Sequence, residues 1–350
     1  MRRTLSFAAV ITLIMLILLV AGGCVAPATP TLSPSPTPVK PIVLRFANFP
    51  PAPTFPCVSM ERWADEVEKR TNGKVKIQTF PGGSLLTAKN MWDGVLAGTA
   101  DIGCDCTSYF PGRFPLLSFD RAVGEPSSAV GSRVVWEIYK EFKPASLADF
   151  KVLHMYTSGP HKIVTIDPVR TLEDLKGLEL RAAPTSVDVL KALGAAPVGM
   201  PMSELPEALQ KGVVKGYHSS LETLLDFKYA EICKYAVNNH TRSFCIFAVV
   251  MNKDSWNRLP EDVKKVMDDL ALEQSVWTGE YMDKHTVESV EWAVKEQGFH
   301  LINLSPEEKA RWDERVKQVV DKYLAETAAK GLPGKKVLDR WHELVKQFSK

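Results

Sequence analysis

The sequence predicts an α/β protein with doubly wound lobes, and three stretches of the chain support this prediction. Between residues 43 and 103, short strand-like runs alternate with segments of helical spacing in the order βαβαβ. Between residues 171 and 221 the order is αβαβ, and glycines end several segments before short connections. The continuous apolar run 244–251 indicates a strand in the interior of a sheet. Such alternation favours mostly parallel sheets covered by helices.

The first half of the chain supplies the elements of one lobe. Met60, Trp63, Ala64 and Val67 recur at the spacing of a buried helix face, and Gly73 follows the end of that helix. An alternating run typical of a half-buried strand comes next. In order, the sequence predicts strand 43–47, helix 58–70, strand 75–80, helix 88–97, a strand entered at 99–103, helix 132–142 and strand 151–156.

The second half opens with a short helical turn that Thr171 caps and Gly177 ends, and Asp174 stands at the third helical position. Further along, Ser305 and Glu308 form a capping box around a proline at the first helical position. The sequence predicts strand 178–181, helix 187–193, strand 195–200, helix 204–211, a strand after 212, a helical stretch 259–297 and helix 305–330. The long stretch is either one helix or two pieces.

The N-terminal segment 1–23 has the layout of a secretion signal. Arg2 and Arg3 precede an apolar run, and small residues lead directly to Cys24, as at a bacterial lipoprotein cleavage site. The alternative is a transmembrane anchor, although the run is short for that role. Residues 24–41 carry many prolines among Ser and Thr and read as an extended tether behind a lipidated Cys24.

The charge balance excludes some partner classes. The chain has 43 Lys and Arg against 41 Asp and Glu, and removal of Arg2 and Arg3 with the signal leaves equal numbers. A near-neutral protein argues against nucleic acid or a charged membrane surface as partner. The sequence also lacks a phosphate-binding glycine loop, so no nucleotide cofactor is expected.

The cysteines leave two questions open. With Cys24 acylated, five remain: Cys57, Cys104, Cys106, Cys233 and Cys245. The pair Cys104 and Cys106 shares one strand face, where small buried hydrophobes are favoured over a metal or redox site because no further ligands accompany them. A Cys233–Cys245 bridge is one alternative outside the cytoplasm.

Arg181 is the first candidate for ligand binding. It follows Leu178 and Leu180 at the end of a predicted strand, where open α/β sheets form their ligand crevices. A guanidinium offers a planar fork of donors that matches a carboxylate in two parallel hydrogen bonds. The alternative is a surface arginine in an ordinary salt bridge.

Several segments resemble the extracytoplasmic solute-binding proteins of TRAP transporters (DctP-like). These are the run LEDLKGLELR at 172–181, KALGAAPV at 191–198 and EALQKGVV at 207–214. The first half adds TNGKV at 71–75, PGGSL at 81–85, GTADIG at 98–103 and PGRFPL at 111–116. In this family an arginine that ends an LKGLKIR-like strand clamps the carboxylate of the substrate, which makes Arg181 the anchor here.

The resemblance implies a two-lobe fold of the type II periplasmic-binding-protein class, with a hinge and a long bridging helix. On this basis lobe I is expected to comprise 42–158 and 245–285, and lobe II 159–244 and 286–335, with 336–350 as a C-terminal tail or helix. The loop 157–161 is expected to cross between the lobes, and the ligand to lie between them.

Further contacts follow from the same resemblance. His161 stands where sialic-acid-binding members carry a second arginine, which weakens any expectation of sialic acid; a structural histidine is the alternative. Ser219 stands at the asparagine of a DGQENP-like motif, within a stretch closer to the SPWEAL form. His218 and Tyr217 precede it. Alternation at a strand end allows only some of these side chains to point inward, and His218 and Ser219 are preferred over Tyr217 as cleft residues.

From lobe I, Phe49 and Tyr109 follow predicted strand ends and are candidates to cover an apolar ligand body, with plain core packing as the alternative. These residues together favour a monocarboxylate with a hydrophobic or aromatic body.

The implied function is that of a lipid-anchored, extracytoplasmic binding protein. It captures an organic acid and delivers it to a TRAP permease with a small four-helix and a large multi-span subunit. No cofactor or metal is expected. A ligand-sensing lipoprotein is the first alternative, and an enzyme acting on a carboxylate the second; no nucleophile–base or zinc motif supports the latter.

Overall fold

The computed structural model describes residues 40–121, 123–124, 126–238 and 241–349. The predicted signal peptide, Cys24 and the tether up to residue 39 lie outside the described residues. From Pro41 onward the chain forms one compact unit with two β-sheets. Each sheet and the helices packed on it are called lobe I and lobe II below.

The lobe I sheet has five strands in the order β2-β1-β3-β10-β4. Its first three strands are parallel, and β10 runs antiparallel to both of its neighbours. The interior position predicted for the apolar run 244–251 is confirmed, because β10 lies between β3 and β4 and is almost wholly buried. The strands are β1 Ile42–Asn48, β2 Val75–Phe80, β3 Ile102–Cys106, β4 Phe150–Thr157 and β10 Ile246–Asn252.

The lobe II sheet has six strands in the order β11-β9-β5-β8-β6-β7. Strands β7, β6 and β8 are parallel, and β5 runs antiparallel to β8 and β9. Each lobe therefore combines a parallel group with an antiparallel strand. The strands are β5 Lys162–Thr165, β6 Glu179–Ala182, β7 Ala196–Gly199, β8 Gly216–Ser219, β9 Tyr235–Val237 and β11 His300–Ile302.

Helices cover the sheets at positions close to those predicted. Thr171 and Asp174 form the predicted capping box, and Ser305 accepts a hydrogen bond from the backbone N–H of Glu308. The helices of the first 200 residues are α1 Phe55–Arg70, α2 Met91–Leu96, α3 Ser128–Phe142, α4 Leu172–Leu175 and α5 Val187–Ala192. The later helices are α6 Leu205–Gln210, α7 Thr223–Asp226, α8 Lys253–Asn257, α9 Glu261–Gln297, α10 Pro306–Ala329 and α11 Gly334–Phe348.

The long helix α9 connects the two lobes, as the predicted fold class requires. Its 37 residues are unbroken and span about 55 Å at 1.5 Å per residue. Val263, Met267 and Leu270 pack in the core of lobe I, whereas Ala293 packs in the core of lobe II. The buried face of the helix changes along its length because one end packs against the core of lobe I and the other against the core of lobe II.

The chain crosses between the sheets at 158–161 and again before β10. The backbone N–H of Ser158 donates to the carbonyl of Cys245, and that of His161 donates to the carbonyl of Ser243. The two crossings therefore run side by side, as a hinge requires.

The C-terminal helices also contact both cores. Trp312 and Val316 of α10 pack in lobe II, Tyr323 of the same helix packs in lobe I, and Trp341 of α11 joins the lobe I core. The exact lobe boundaries given by the sequence stay a prediction.

Candidate functional site

A cleft lies between the lobes at the carboxyl ends of β1, β3, β6 and β8. Lobe I contributes Phe49, Pro50, Phe55, Tyr109 and Phe247 to its lining. Lobe II contributes Arg181, Met202, Ser219, Ser220, Glu222 and Asp226. Strand ends from two sheets thus meet where α/β folds bind ligands.

The cleft is narrow in this structure. The space between its side chains totals about 420 Å³, including a part that opens to solvent, and only a small fraction of it is wide enough to hold water molecules. A ligand larger than a few water molecules therefore requires the walls to move apart, which a hinge between the lobes permits.

Arg181 is buried in the wall of the cleft, with only 1% of its surface exposed. Its Nε donates to the carbonyl of Met200 at 2.9 Å, and its Nη1 donates to the carbonyl of His218 at 3.4 Å. Its Nη2 has no hydrogen-bond partner among the described residues, and none of their carboxylates lies within salt-bridge distance of the guanidinium. The alternative of a surface arginine in an ordinary salt bridge is wrong.

An unpaired buried charge is costly, because the low-dielectric interior does not replace the solvation that water gives. The ring of Tyr109 lies 5.9 Å from the guanidinium carbon of Arg181 and offers only a weak cation–π contact. The site therefore favours an anion that completes the hydrogen bonding of Nη2.

His161 and His218 form a buried pair near Arg181 and do not line the cleft. Their rings meet edge to face with centroids 4.9 Å apart. Nε2 of His161 contacts the Ser158 hydroxyl at 3.2 Å, and Nε2 of His218 contacts the Thr241 hydroxyl at 2.6 Å.

Both histidines are held neutral. Burial, with the nearby charge of Arg181, lowers the pKa of His218 to about 3. Burial likewise lowers the pKa of His161 well below its ordinary value, and His218 and Arg181 add to this effect. The pair brings no second positive charge to the site, so Arg181 is the cation that an acid meets here.

Tyr217 also lies outside the lining of the cleft. Its hydroxyl contacts the Thr223 hydroxyl at 3.1 Å, and its ring packs on Tyr229 with centroids 5.1 Å apart. It belongs to the core of lobe II. Ser219, by contrast, lines the cleft and is 6% exposed. Tyr217 and Ser219 are two residues apart in β8, so strand alternation places both on the same face of the sheet and does not account for their different surroundings.

The lobe I wall is aromatic. The rings of Phe49 and Tyr109 pack edge to face with their centroids 5.6 Å apart, and the rings of Phe55 and Phe247 do the same with centroids 5.6 Å apart. Phe49 and Tyr109 were singled out by the sequence, but Phe55 and Phe247 were not. Phe55 starts a helix and Phe247 lies within an apolar strand, so nothing in their local pattern separates them from core residues.

Two acidic residues lie in the lobe II wall, and sequence reasoning missed both as site residues. Asp226 accepts from the backbone N–H of Phe55 at 3.0 Å and contacts Nε2 of His285 at 2.6 Å. Glu222 is 3% exposed, and its Oε2 has no partner among the described residues. Burial and the neighbouring charge of Asp226 raise the pKa of Glu222 to about 8. The only available sequence signal was an acidic residue between Leu221 and Leu224.

Contacts across the cleft hold the lobes together. The Asp226 bond to Phe55 joins lobe II to the start of α1. The backbone N–H of Met202 donates to the hydroxyl of Tyr109 at 3.3 Å. At the surface, Lys89 and Glu204 form an ion pair at 2.6 Å. Residues that line the cleft therefore also form contacts that hold the two lobes together.

The five cysteines that the structure describes are all free and buried. The alternative of a Cys233–Cys245 bridge is wrong: Cys233 belongs to the core of lobe II, and Cys245 lines the cleft. Cys104 contacts the hydroxyl of Tyr156 at 3.0 Å within the lobe I core. Within the described ranges, no three His, Cys, Asp or Glu side chains cluster as metal ligands.

Comparison with known proteins gives one family. Residues 46–327 match the family model described as bacterial extracellular solute-binding protein, family 7 (DctP). Among the helices of the described residues, none is both long enough and apolar enough to cross a bilayer.

Two solved structures and one curated relative illustrate the similarity. A TRAP periplasmic solute-binding protein from Desulfovibrio salexigens is 48% identical, with a TM-score of 0.79 over 88% of this chain and 97% of its own. It was solved in an open form with the C-terminus of a symmetry mate in its ligand-binding site.

A marine metagenome TRAP solute-binding protein specific for aromatic acids, solved with 3-hydroxybenzoate, is 27% identical, with a TM-score of 0.83 over 89% of this chain and 100% of its own. The C4-dicarboxylate-binding protein DctB of Bacillus subtilis is 24% identical and covers 81% of this chain and 82% of its own.

Proposed function

The chain belongs to the bacterial extracellular solute-binding proteins of family 7, and we propose that it captures an organic acid with Arg181 as the anchor of the carboxylate. One observation carries this proposal. Arg181 is buried in the interlobe cleft, its Nη2 lacks a partner among the described residues, and no carboxylate of those residues neutralises it. A ligand carboxylate supplies both the charge and the acceptor oxygens that are missing.

The acid is a monocarboxylate with an apolar or aromatic body. Phe49, Tyr109 and Phe247 offer aromatic faces and edges to such a body. Asp226 and Glu222 line the same space, so a second carboxylate would meet like charge or compete with an acid for protons. A C4-dicarboxylate is therefore disfavoured, although two relatives are named as C4-dicarboxylate-binding proteins.

Capture proceeds by closure of the two lobes about the crossings at 158–161 and 243–245, with the long helix α9 joining them. The closed form is then presented to a membrane permease of the TRAP type with a small and a large subunit. Cys24 carries the lipid that keeps the protein at the outer face of the membrane, and the proline-rich tether gives it reach. Arg181 gives affinity and orientation, not chemistry.

The proposal is tested by isothermal titration of benzoate and phenylacetate into the wild type and Arg181→Ala. Loss of a buried, charge-assisted contact of about 1.5–3 kcal/mol lowers affinity roughly 10-fold to 150-fold. Arg170→Ala is the matched control, because Arg170 is an exposed arginine of the same lobe and its loss leaves affinity unchanged.

Equal affinity in wild type and Arg181→Ala contradicts the proposed anchor. A panel that adds succinate and sialic acid tests the ligand class, and preferential binding of either one contradicts the apolar monocarboxylate.

A further inference from the structure

Glu222 is a buried acidic residue of the cleft whose carboxyl group is not fully hydrogen-bonded within the described residues. It is 3% exposed, lines the same space as Arg181, and leaves Oε2 without a partner among the described residues. The neighbouring Ser220 hydroxyl is buried beside it and lowers the pKa of Glu222 by hydrogen bonding, against the larger effect of burial, whereas Nη2 of Arg181 in the same cleft is likewise without a partner there. Buried polar atoms without partners are rare in folded proteins, because each one costs free energy. Their concentration at one wall of a ligand cleft points to a ligand group that satisfies them.

The position of Glu222 is fixed from behind. Its carbonyl accepts the backbone N–H of Asp226 at 3.0 Å and the Ser289 hydroxyl at 3.2 Å. The same hydroxyl contacts the carbonyl of Leu221 at 2.8 Å and accepts the backbone N–H of Leu225 at 3.1 Å. Helix α9 therefore holds the turn that carries Glu222, and the carboxyl group is presented to the cleft from a rigid support.

Asp226, the other acid of this wall, is already committed. One of its oxygens accepts the backbone N–H of Phe55, and the other contacts His285. Asp226 thus serves lobe closure, whereas Glu222 has capacity left for a ligand. Because the two carboxyls are neighbours, Asp226 favours the neutral form of Glu222, as burial does.

We infer that Glu222 is the specificity-determining residue of the cleft and that the captured acid carries a hydroxyl group on its body, which hydrogen-bonds to the Glu222 carboxyl. This inference rests on the proposed function, since it assumes that Arg181 holds the carboxylate of the same ligand. A neutral carboxyl both donates to the hydroxyl oxygen and accepts its hydrogen, whereas a carboxylate only accepts. A ligand ammonium group, which prefers a carboxylate, is the competing chemistry.

The test compares matched ligands on matched variants. Affinities are measured by calorimetry at pH 6.5 for benzoate, the three monohydroxybenzoates, phenylacetate, mandelate and 3-(aminomethyl)benzoate. The wild type binds its best hydroxy acid at least tenfold more tightly than the parent acid. Glu222→Gln keeps the size and a neutral donor–acceptor pair, and it retains that preference within threefold. Glu222→Leu removes the polar group, and the preference falls to less than twofold while the parent acid still binds.

Three results overturn the inference. The first is a wild type that binds every parent acid as tightly as its hydroxy derivatives. The second is a preference for the hydroxy acid that Glu222→Leu leaves intact. The third is tightest binding of the aminomethyl acid with loss of that binding in Glu222→Gln, which would identify a carboxylate that holds a cation. Binding of the parent acid to Glu222→Leu shows that this variant is folded. If Glu222→Leu does not fold, the hydroxy-acid preferences of the wild type and of Glu222→Gln still test the inference, because it fails if the wild type shows no preference.

Failure of the inference is distinct from failure of the proposed function. If Arg181→Ala abolishes binding of benzoate while hydroxyl groups make no difference, the carboxylate anchor stands and the role of Glu222 is wrong. If none of the acids binds to the wild type, or Arg181→Ala binds them equally well, the proposed function itself is wrong.

Discussion

Arg121 and Arg181 are both almost fully buried near the boundary between the lobes, but their hydrogen-bond partners differ. Arg121 is 5% exposed and forms ion pairs with Asp188, at 2.8 Å, and with Glu326. Arg181 is 1% exposed, and its bonds from Nε and Nη1 go to backbone carbonyls only.

The difference between them lies in where the counter-charge comes from. Arg121 receives its carboxylates from α5 and α10, so its charge is balanced by the fold itself. Arg181 receives none from the described residues, and its free N–H faces a cleft with aromatic walls. A buried arginine is therefore informative about function when its partners are absent, not because it is buried.

The first prediction separates the two arginines by stability. Arg121→Ala lowers the free energy of unfolding by about 2 kcal/mol, because a buried guanidinium loses two ion pairs. The loss is smaller than for a fully buried pair, since Asp188 and Glu326 are partly exposed and keep Lys322 as a partner. Arg181→Ala changes the free energy of unfolding by less than about 1 kcal/mol. The variant loses the hydrogen bonds of the guanidinium, but it also loses an uncompensated buried charge, and the two effects oppose each other. Urea unfolding in the absence of acid measures both values. A larger loss in Arg181→Ala than in Arg121→Ala contradicts the comparison.

The second prediction gives Arg181 a partner from the chain. Ser219→Asp introduces a carboxylate into the wall that Arg181 shares, so an incoming acid must compete with it. Affinity for the bound acid falls at least tenfold, which corresponds to about 1.4 kcal/mol, whereas the free energy of unfolding does not fall by more than that amount.

The control for this variant is Ser219→Asn, which has nearly the same shape without the charge. Calorimetric affinity of Ser219→Asn stays within threefold of the wild type. If the two variants lose affinity equally, the effect is steric, and Arg181 has not been neutralised by the new carboxylate.

The third prediction has the smallest expected effect, and it concerns the pH dependence of stability that the His285–Asp226 pair produces. A hydrogen bond from His285 to Asp226 raises the pKa of His285 above its ordinary value; burial opposes this increase, and the negative charges of Asp226 and Glu288 add to it. A raised folded-state pKa gives stability that is fully present below the unfolded value of about 6.5 and is lost as pH rises through the folded value.

The measurement is the difference in unfolding free energy between wild type and His285→Gln, by urea at pH 5.5 and pH 9. The pH-dependent part of the difference is about 1 kcal/mol or less, and it is larger at pH 5.5. A difference that is constant, or that grows toward pH 9, shows that the ion pair with Asp226 does not hold His285 in its protonated form.

Much of the fold was accessible from the sequence because its signals are local. Caps at Thr171 and Ser305, the apolar run that became β10, and the order of strands and helices each depend on neighbours in the chain. The unbroken length of α9 was left open, because its apolar face changes from one lobe to the other. That change is visible only when both lobes are in place.

The site was only partly accessible. Arg181, Ser219, Phe49 and Tyr109 line the cleft as the sequence suggested, and their roles as ligand contacts stay predictions. His161 was chosen from the family resemblance, and His218 and Tyr217 from their place beside Ser219 at a strand end. Neither histidine lines the cleft: Nε2 of each contacts a hydroxyl group and Nδ1 of each lacks a partner among the described residues, and Tyr217 packs in the core of lobe II.

Glu222 and Phe247 were missed for a related reason. Phe247 comes from lobe I and Glu222 from lobe II, and each reaches the cleft only because the lobes close on each other. No spacing within one segment encodes that meeting, so a single sequence does not distinguish a cleft residue from a core residue there.

The most direct test of the account is a crystal structure of the protein with benzoate or with the acid that copurifies with it. We expect the ligand carboxylate to lie within hydrogen-bond distance of Nη2 of Arg181, with the body of the acid against Phe49, Tyr109 and Phe247. A bound acid whose carboxylate is held elsewhere, with Arg181 still contacting only the carbonyls of Met200 and His218, contradicts it.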